Sequence, residues 1–420
     1  MLSAATLSVC VALTVVAGAA TNLKLVSRTS GGTPADGHSG TAQPTAVTPD
    51  GKLVVFQSVA DNLPGGNGVA SQIYVRNLAT GKTALASADP DGNPAADGSY
   101  QAGISANGRL VCFQGEGSGF PGANSEDQVW IRDRQLQKTF MASRANGGAA
   151  GDAPSYDCSI SSDGSRVAFA SQAENLPGGP TSSSQLYVRD LDRKKTILVS
   201  KTNGGDPASG SLYGQTISSD GNRVVFYSND KGLPGGDGLA QHVYVRDLDR
   251  GRTILVDQNS NEVIGNDEGY NASISGNGRF AIFESQATNL PDPGASSNQI
   301  YIRDLREGKT TLAGRNSAGK PQNGYAEFAH LSGNGRYVEF NSSASNLPGG
   351  AAPYSLVYVR DRHEGTTRLV SRAADGGVPD DEATNGSMSV GGDWVVFESP
   401  ADNLGGDPDY TNVFRVGPLG

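Results

Sequence analysis

Histidine, cysteine and methionine are nearly missing from this chain: among 420 residues there are 4, 3 and 3. The histidines, His38, His242, His330 and His363, fall at different places along the sequence, which leaves no His-rich set to hold a metal jointly. Basic residues are outnumbered, 33 Lys and Arg against 43 Asp and Glu, for a formal net charge of −10. That balance argues against general binding to nucleic acid or to anionic membrane, both of which need clustered positive charge. Only 36% of the residues are hydrophobic, and no extended helical stripe is visible. Abundant instead are glycine, 57 residues, and proline, 21. Such a chain is turn-rich, with many short apolar runs, and reads as all-β.

The runs repeat. The Phe of a recurrent Val-x-Phe falls at Phe56, Phe113, Phe169, Phe226, Phe283, Phe340 and Phe397, spaced by 57 residues with one interval of 56. A second marker, the aromatic of "IYVRD", recurs with it at Tyr74, Trp130, Tyr187, Tyr244, Tyr301, Tyr358 and Phe414. Self-similarity at a fixed period marks propellers and solenoids. Each unit contains four short strands, A to D; in the third they are "SYDCSIS", "RVAFAS", "QLYVRDL" and "TILVSK". Asp-Gly or Asn-Gly turns join A to B, and C–D is equally short, so the unit is a four-stranded antiparallel propeller blade.

Counting strands predicts how the ring closes. "LKLVSRTSGG" at 23–32 is a lone D-type strand, whereas the last unit supplies A, B and C and then stops. Together they complete a seventh blade and remove an open sheet edge. The prediction is therefore a seven-bladed β-propeller with its last blade closed by the N-terminal strand. The recurrent "DNLPGG" is punctuation: Asn62, Asn175, Asn289, Asn346 and Asn403 are placed to satisfy backbone groups where strand B turns away. The "VRD" of strand C, as in Arg189–Asp190 and Arg303–Asp304, recurs too often for a site. It reads as an arginine ladder with an Asp capping the next turn.

Residues 1–20, "MLSAATLSVCVALTVVAGAA", read as a secretory signal peptide, and 21–420 as one propeller domain. Val9 is not the small residue that a lipoprotein signal wants before Cys10. A secreted or periplasmic location follows, with no membrane insertion after cleavage. Cys112 and Cys158 lie in neighbouring units; sheets packed about 10 Å apart seldom bring Cα atoms within disulfide reach, so two buried free thiols are expected.

"ISSDGNRVVFYS" followed by "VYVRDLDRGRTILV", recurring through nearly all of residues 22–420, resembles the TolB-like β-propeller repeats of bacterial extracytoplasmic proteins, relatives of WD-repeat propellers. The resemblance implies the fold and leaves function open, because such blades serve binding proteins, peptidase accessory domains and some polysaccharide lyases. The additional α/β domain of TolB itself has no counterpart here, so a role in the Tol system is not implied.

Strand direction puts the long B–C and D–A connections on one rim and the short turns on the other. The long connections are rich in Asp and Glu, among them Asp61, Asp152, Asp237, Asp267 and Glu268, while Arg193, Lys194, Arg250, Arg252 and Arg306 fall on the short-turn face. Binding is expected on the acidic, long-loop face. There Tyr100, Tyr156, Tyr213 and Tyr270 precede strand A; they would stack a sugar or grip a peptide, although a position that recurs like a structural residue favours inter-blade packing. Gln101, Asp157, Asn271 and Asn385, with Ser159, Thr216, Ser273, His330 and Ser387, are expected to alternate toward the channel. Tyr100, Tyr156, Asp157, Tyr213, Tyr270, Asn271 and His330 are thus the candidate ligand-binding residues.

No G-x-S-x-G elbow occurs, no Ser–His–Asp set can be placed, and no catalytic or metal-binding residue is named. No cofactor is expected; calcium is the one that Asp- and Asn-rich loops such as "DPDGNPAADG" at 89–98 could hold, though the EF-hand order is missing. The expected function is a non-catalytic binding scaffold, a monomer, for a protein or glycan partner. The alternative is a polysaccharide-active enzyme, lyase or glycoside hydrolase, using carboxylate and tyrosine chemistry on the same face.

Overall fold

A computed structural model of the chain describes residues 22–41, 45–117, 119–179, 184–292, 298–350 and 352–419; the predicted signal peptide lies outside them. The chain forms seven four-stranded antiparallel sheets arranged as a propeller. In blade 3 strands A to D are Ser155–Ile160, Arg166–Ser171, Gln185–Asp190 and Lys195–Leu198, and blades 1 to 6 follow the same consecutive order. Blade 7 joins Lys24–Leu25 to Asn412–Val416, Val395–Ser399 and Thr384–Met388, with Leu25 opposite Phe414. Ring closure is thus as predicted, and Val26 N–H donating to the Val413 carbonyl at 2.8 Å extends it.

The two repeat markers are the core. Phe169 and Tyr187 pair across strands B and C and stack with centroids 5.6 Å apart, both fully buried. Phe226–Tyr244, Phe283–Tyr301 and Phe340–Tyr358 repeat the contact at 5.7–5.8 Å. Each large ring buried this way contributes about 2–3 kcal/mol, which is why the Phe period survives every loop variation.

Three sets of hydrogen bonds tie blade to blade. The strand C arginines hold the strand D threonine of their own blade, Arg76–Thr83, Arg132–Thr139 and Arg303–Thr310 at 2.9–3.2 Å, and reach back to D–A carbonyls of the preceding blade, as Arg132 does to Asp89 O at 3.1 Å. Asp133 takes the Gln135 and Leu136 N–H groups, both at 3.0 Å, as the predicted turn cap. The corner asparagines each donate to a D–A carbonyl, Asn62 to Pro34 and Asn346 to Pro321 at 2.9 Å.

The third set surrounds the axis. In blades 2 to 7 strand A carries a bulge, and the bulged residue has positive φ: Gln101, Asp157, Gly214, Asn271, Phe328 and Asn385, at 44–56°. A bulge frees a backbone N–H from its ladder. Four interfaces cap a strand A N–H with a strand B side chain of the preceding blade: Gln57 accepts from Gln101, Gln114 from Asp157, Glu284 from Phe328 and Glu398 from Thr41, at 2.6–3.3 Å. Deeper in the channel Ser159, Thr216 and Ser387 accept from Ile217, Ile274 and Ala46 of the next blade, each at 3.2 Å.

The expectation of free thiols is wrong: Cys112 and Cys158 form a disulfide with Cα atoms 6.2 Å apart. The 10 Å spacing belongs to the middle of facing sheets. Cys158 lies on strand A and Cys112 on strand B, close to the axis, where neighbouring blades converge. Gly103 sits opposite Cys112 where blades 3, 4, 5 and 7 carry Ser or Thr. The disulfide therefore joins blades 2 and 3 where Gly103 offers no hydroxyl to cap the next blade.

Two outcomes follow. Deleting residues 21–30 leaves blade 7 with an open edge and should cause aggregation or a melting-temperature loss of about 10 °C or more; a truncated protein that melts like the intact one would contradict the shared blade. Glu284 is fully buried, and burial, only partly offset by its hydrogen bonds from Phe328 and Asn298, raises its pKa to about 8 from an ordinary 4.5. The folded state therefore holds a proton that the unfolded chain releases. Its stabilising contribution is complete below about pH 4.5 and is lost as the pH rises through about 8. Glu284→Gln keeps the acceptor for Phe328 N–H without the charge. Thermal melts should show the variant several degrees more stable at pH 9 and unchanged near pH 4.5; an equal gap at both would show that the carboxyl does not titrate as described.

Candidate functional site

Strand A begins at the long-loop rim, so its bulges ring that end of the channel. They enclose a cavity of ≈ 500 Å³. Gln101, Asp157, Gly214, Asn271, Phe328 and Asn385 line it, with Thr41 of blade 1, and between them lie Gln57, Tyr227 and Glu398 of strand B.

The aromatic part of the wall is confined to blades 4 to 6. Tyr213 is 46% exposed and stacks on Tyr227 with centroids 5.6 Å apart. Gly214 must be glycine, since an added Cβ would stand 2.5 Å from the Tyr227 ring. Phe328 is 39% exposed at φ 52°. A bulky residue at positive φ is strained by about 1–2 kcal/mol, and such strain collects at functional sites. Tyr270 adjoins this wall in a second cavity of ≈ 330 Å³, shared with Tyr227, Asp267 and Glu268.

The charged part of the wall is acidic throughout. Burial raises the Asp157 carboxyl, and burial raises Glu398 against hydrogen bonds from Thr41 and Asn385. Burial and neighbouring Glu382 raise Glu327. The hydroxyl of Tyr227 is raised by burial and by the negative charges of Asp157 and Glu284. Glu339 is fully buried on strand B of blade 6, opposite His330, whose Nδ1 lies 3.4 Å from its Oε2. Among the described residues Asp157 and Glu398 are the carboxylates that line the cavity, and no Lys or Arg lines it. The short-turn face is the reverse: Arg223, Arg250, Arg252, Arg279 and Arg306 border a cavity of ≈ 680 Å³ there.

Of the sequence candidates, Asp157, Tyr213, Asn271 and His330 meet at the main cavity, with Gln101, Thr216, Ser273 and Asn385. Tyr100 lies apart, beside His38 and Thr411 in a cavity of ≈ 390 Å³. Tyr156 is half-buried and packs against the core between blades 3 and 4, so it serves packing. Ser159 and Ser387 are fully buried below the cavity, where they cap neighbouring N–H groups, and do not line it.

Sequence reading missed Gln215, Tyr227, Glu284, Phe328, Glu339 and Glu398. One signal was available for three of them: the residue after each marker Phe runs Gln57, Gln114, Ala170, Tyr227, Glu284, Asn341, Glu398, a variable column inside an otherwise uniform strand. Glu339 likewise replaces the small or apolar residue found before the other marker phenylalanines.

The histidines are separate, as expected. His242 hydrogen-bonds Asp257 at 2.7 Å where blades 1 to 3 pair Gln with Ser, and His363 lies by Glu364 on the surface. Among the described residues no group of three or more His, Cys, Asp or Glu is disposed to hold a metal ion. In the 89–98 loop Asp89 is engaged by Asp91 and Asn93 N–H groups at 2.8–2.9 Å, closing the turn.

No protein-family model matches the chain, and no curated protein matches it in sequence. Among solved structures it is similar to an oligogalacturonate lyase from Vibrio parahaemolyticus, with a TM-score of 0.57 and 12% identity over 95% of this chain and 97% of that one. The β-propeller domain of the Trilobed protease from Pyrococcus furiosus gives 0.53 and 11% over 86% and 91%. TolB from Acinetobacter baumannii gives 0.41 and 13% over 88% and 81%. At such identities the likeness is one of fold, a β-propeller, and no more.

Proposed function

We propose that this protein is an extracytoplasmic binding scaffold that holds a protein or glycan partner at the long-loop end of its channel, without chemically altering it. The observation that carries the reading is the break in the repeat. Within an otherwise regular ring, one sector presents exposed Tyr213 and strained Phe328 beside a polar cavity of ≈ 500 Å³, a volume typical of ligand sites. The Cys112–Cys158 disulfide supports an oxidising compartment, and so a secreted or periplasmic location. Among the described residues no helix is long and apolar enough to cross a membrane.

A second reading is an enzyme acting on a polysaccharide. It is favoured by Glu284, whose carboxyl is raised to about 8 and whose charge acts on Tyr227, a pairing suited to acid–base work near neutral pH. The fold likeness to an oligogalacturonate lyase does not extend to the demands of that substrate. A galacturonate chain is a polyanion, and the cavity offers it Asp157 and Glu398 and, among the described residues, no Lys or Arg to pair with its carboxylates.

Capture from glycan arrays and cell extracts, followed by mass spectrometry of each ligand after incubation, separates the two. A ligand recovered intact is expected; one recovered in pieces would make the protein an enzyme. Tyr213→Ala with Phe328→Ala should weaken capture about tenfold or more while leaving the melting temperature within a few degrees. Unchanged affinity in that double variant would sink the aromatic-rim binding site.

A further inference from the structure

We propose that the cavity selects a ligand bearing a primary ammonium group, and that this ligand is a short amino-sugar oligomer; the proposal rests on the binding role argued above. Its first support is acidic: Asp157 and Glu398 line the cavity with no Lys or Arg among the described lining residues, and further carboxylates form a belt with them. Asp157 and Glu284 both act on Tyr227, Glu327 acts on Glu284, and Glu382 acts on Glu327 and on Glu398. Of these, Asp157 of blade 3 and Glu398 of blade 7 line the cavity, whereas Glu284 is fully buried and, raised to about 8, holds its proton at pH 7. Carboxylates elsewhere on strand C have arginine partners, as Asp304 has Arg279 and Asp361 has Arg336, both at 2.6 Å. None of the belt carboxylates has such a partner among the described ion pairs.

Hydrogen bonding is the second, independent support. Gln215 lines the cavity with only 6% of its surface exposed; its amide nitrogen donates to the Asp157 carbonyl, and its Oε1 has no partner. Glu339 is fully buried behind His330, whose Nδ1 lies 3.4 Å from it, and does not line the cavity, so Gln215 is the acceptor that faces a ligand. Unpartnered buried acceptors require a donor. An ammonium group brings three N–H donors, no acceptor and one positive charge.

The rest of the wall describes what carries the charge. Tyr213 and Phe328 offer ring faces that attract a cation and stack on a pyranose. Gln101, Asn271, Asn385 and Thr216 offer amides and a hydroxyl suited to ligand hydroxyls. The carboxylates are spread around the mouth rather than gathered at a point, which suits several ammonium groups along a chain better than one metal ion.

Calorimetric titration of the full chain at pH 7 in low salt tests this with four probes: the trimer of glucosamine, its N-acetylated counterpart, the trimer of galacturonic acid, and trilysine. The glucosamine trimer should bind at least about tenfold tighter than the N-acetylated form, which keeps shape and hydroxyls but loses charge. The galacturonate should not bind. Glu327→Gln and Glu398→Gln should each weaken the amine and spare the N-acetylated form; Glu327→Gln changes a partly exposed side chain, and Glu398→Gln keeps an acceptor for Thr41. Equal binding of the two glucosamine forms would overturn the charge requirement and leave the binding role intact. Trilysine binding without the sugar would assign the site to basic peptides. Manganese or calcium binding that blocks the amine would assign it to a metal ion. Silence from all four probes would overturn this inference, while ligand capture from extracts decides the binding role separately.

Discussion

The contact on which this ring depends is the one between strand B of each blade and strand A of the next. Near the axis, blades approach too closely for large side chains, and the strand A bulge turns backbone N–H groups toward the neighbour. Leaving such a group buried and unpaired costs about 1–3 kcal/mol, a penalty that seven interfaces would multiply. The chain meets it with Gln or Glu acceptors at the rim, Ser and Thr hydroxyls deeper in, and one disulfide where Gly103 has neither. Those are short, directional contacts, and they fix blade spacing in a way that the Phe–Tyr cores, which are non-directional, cannot.

The same column explains where the surface departs from regularity. Gln57, Gln114, Glu284 and Glu398 are strand B acceptors that engage the next blade. Ala170 has no polar side chain, Tyr227 turns its ring to Tyr213, and Asn341 has no hydrogen-bond partner. Tyr213 lies on blade 4, next to the uncapped Ala170 of blade 3, and stacks on Tyr227, whereas Phe328 keeps its cap from Glu284. An interface released from capping duty is free to vary, and at blades 3 and 4 it has varied toward aromatic side chains.

Legibility in the sequence follows from this division. Whatever recurs was readable: blade number, the shared seventh blade, the arginine ladder and the corner asparagines all repeat, so each copy supports the others. Glu284, Glu339 and Phe328 were not readable, because they are single departures whose meaning lies in which neighbour they face. Tyr156 and Tyr213 illustrate the limit, since they occupy the same repeat position, yet one packs into the core and the other stands exposed on Tyr227. The cysteines failed for a geometric reason. A repeat shows that two residues lie on successive blades, but not how far from the axis, and that distance decides whether Cα atoms stand 6.2 Å apart or nearer to 10 Å.

Stability and recognition thus share side chains. Glu398 caps Thr41 across the junction where the C-terminal and N-terminal segments meet, and it also forms part of the cavity wall. Glu284 caps Phe328, the strained aromatic of the same wall. The two caps serve different interfaces, Glu398 the ring-closing junction between blades 7 and 1 and Glu284 the junction between blades 5 and 6. Anything that binds this wall only in the closed ring would, by linkage, stabilise the closed ring.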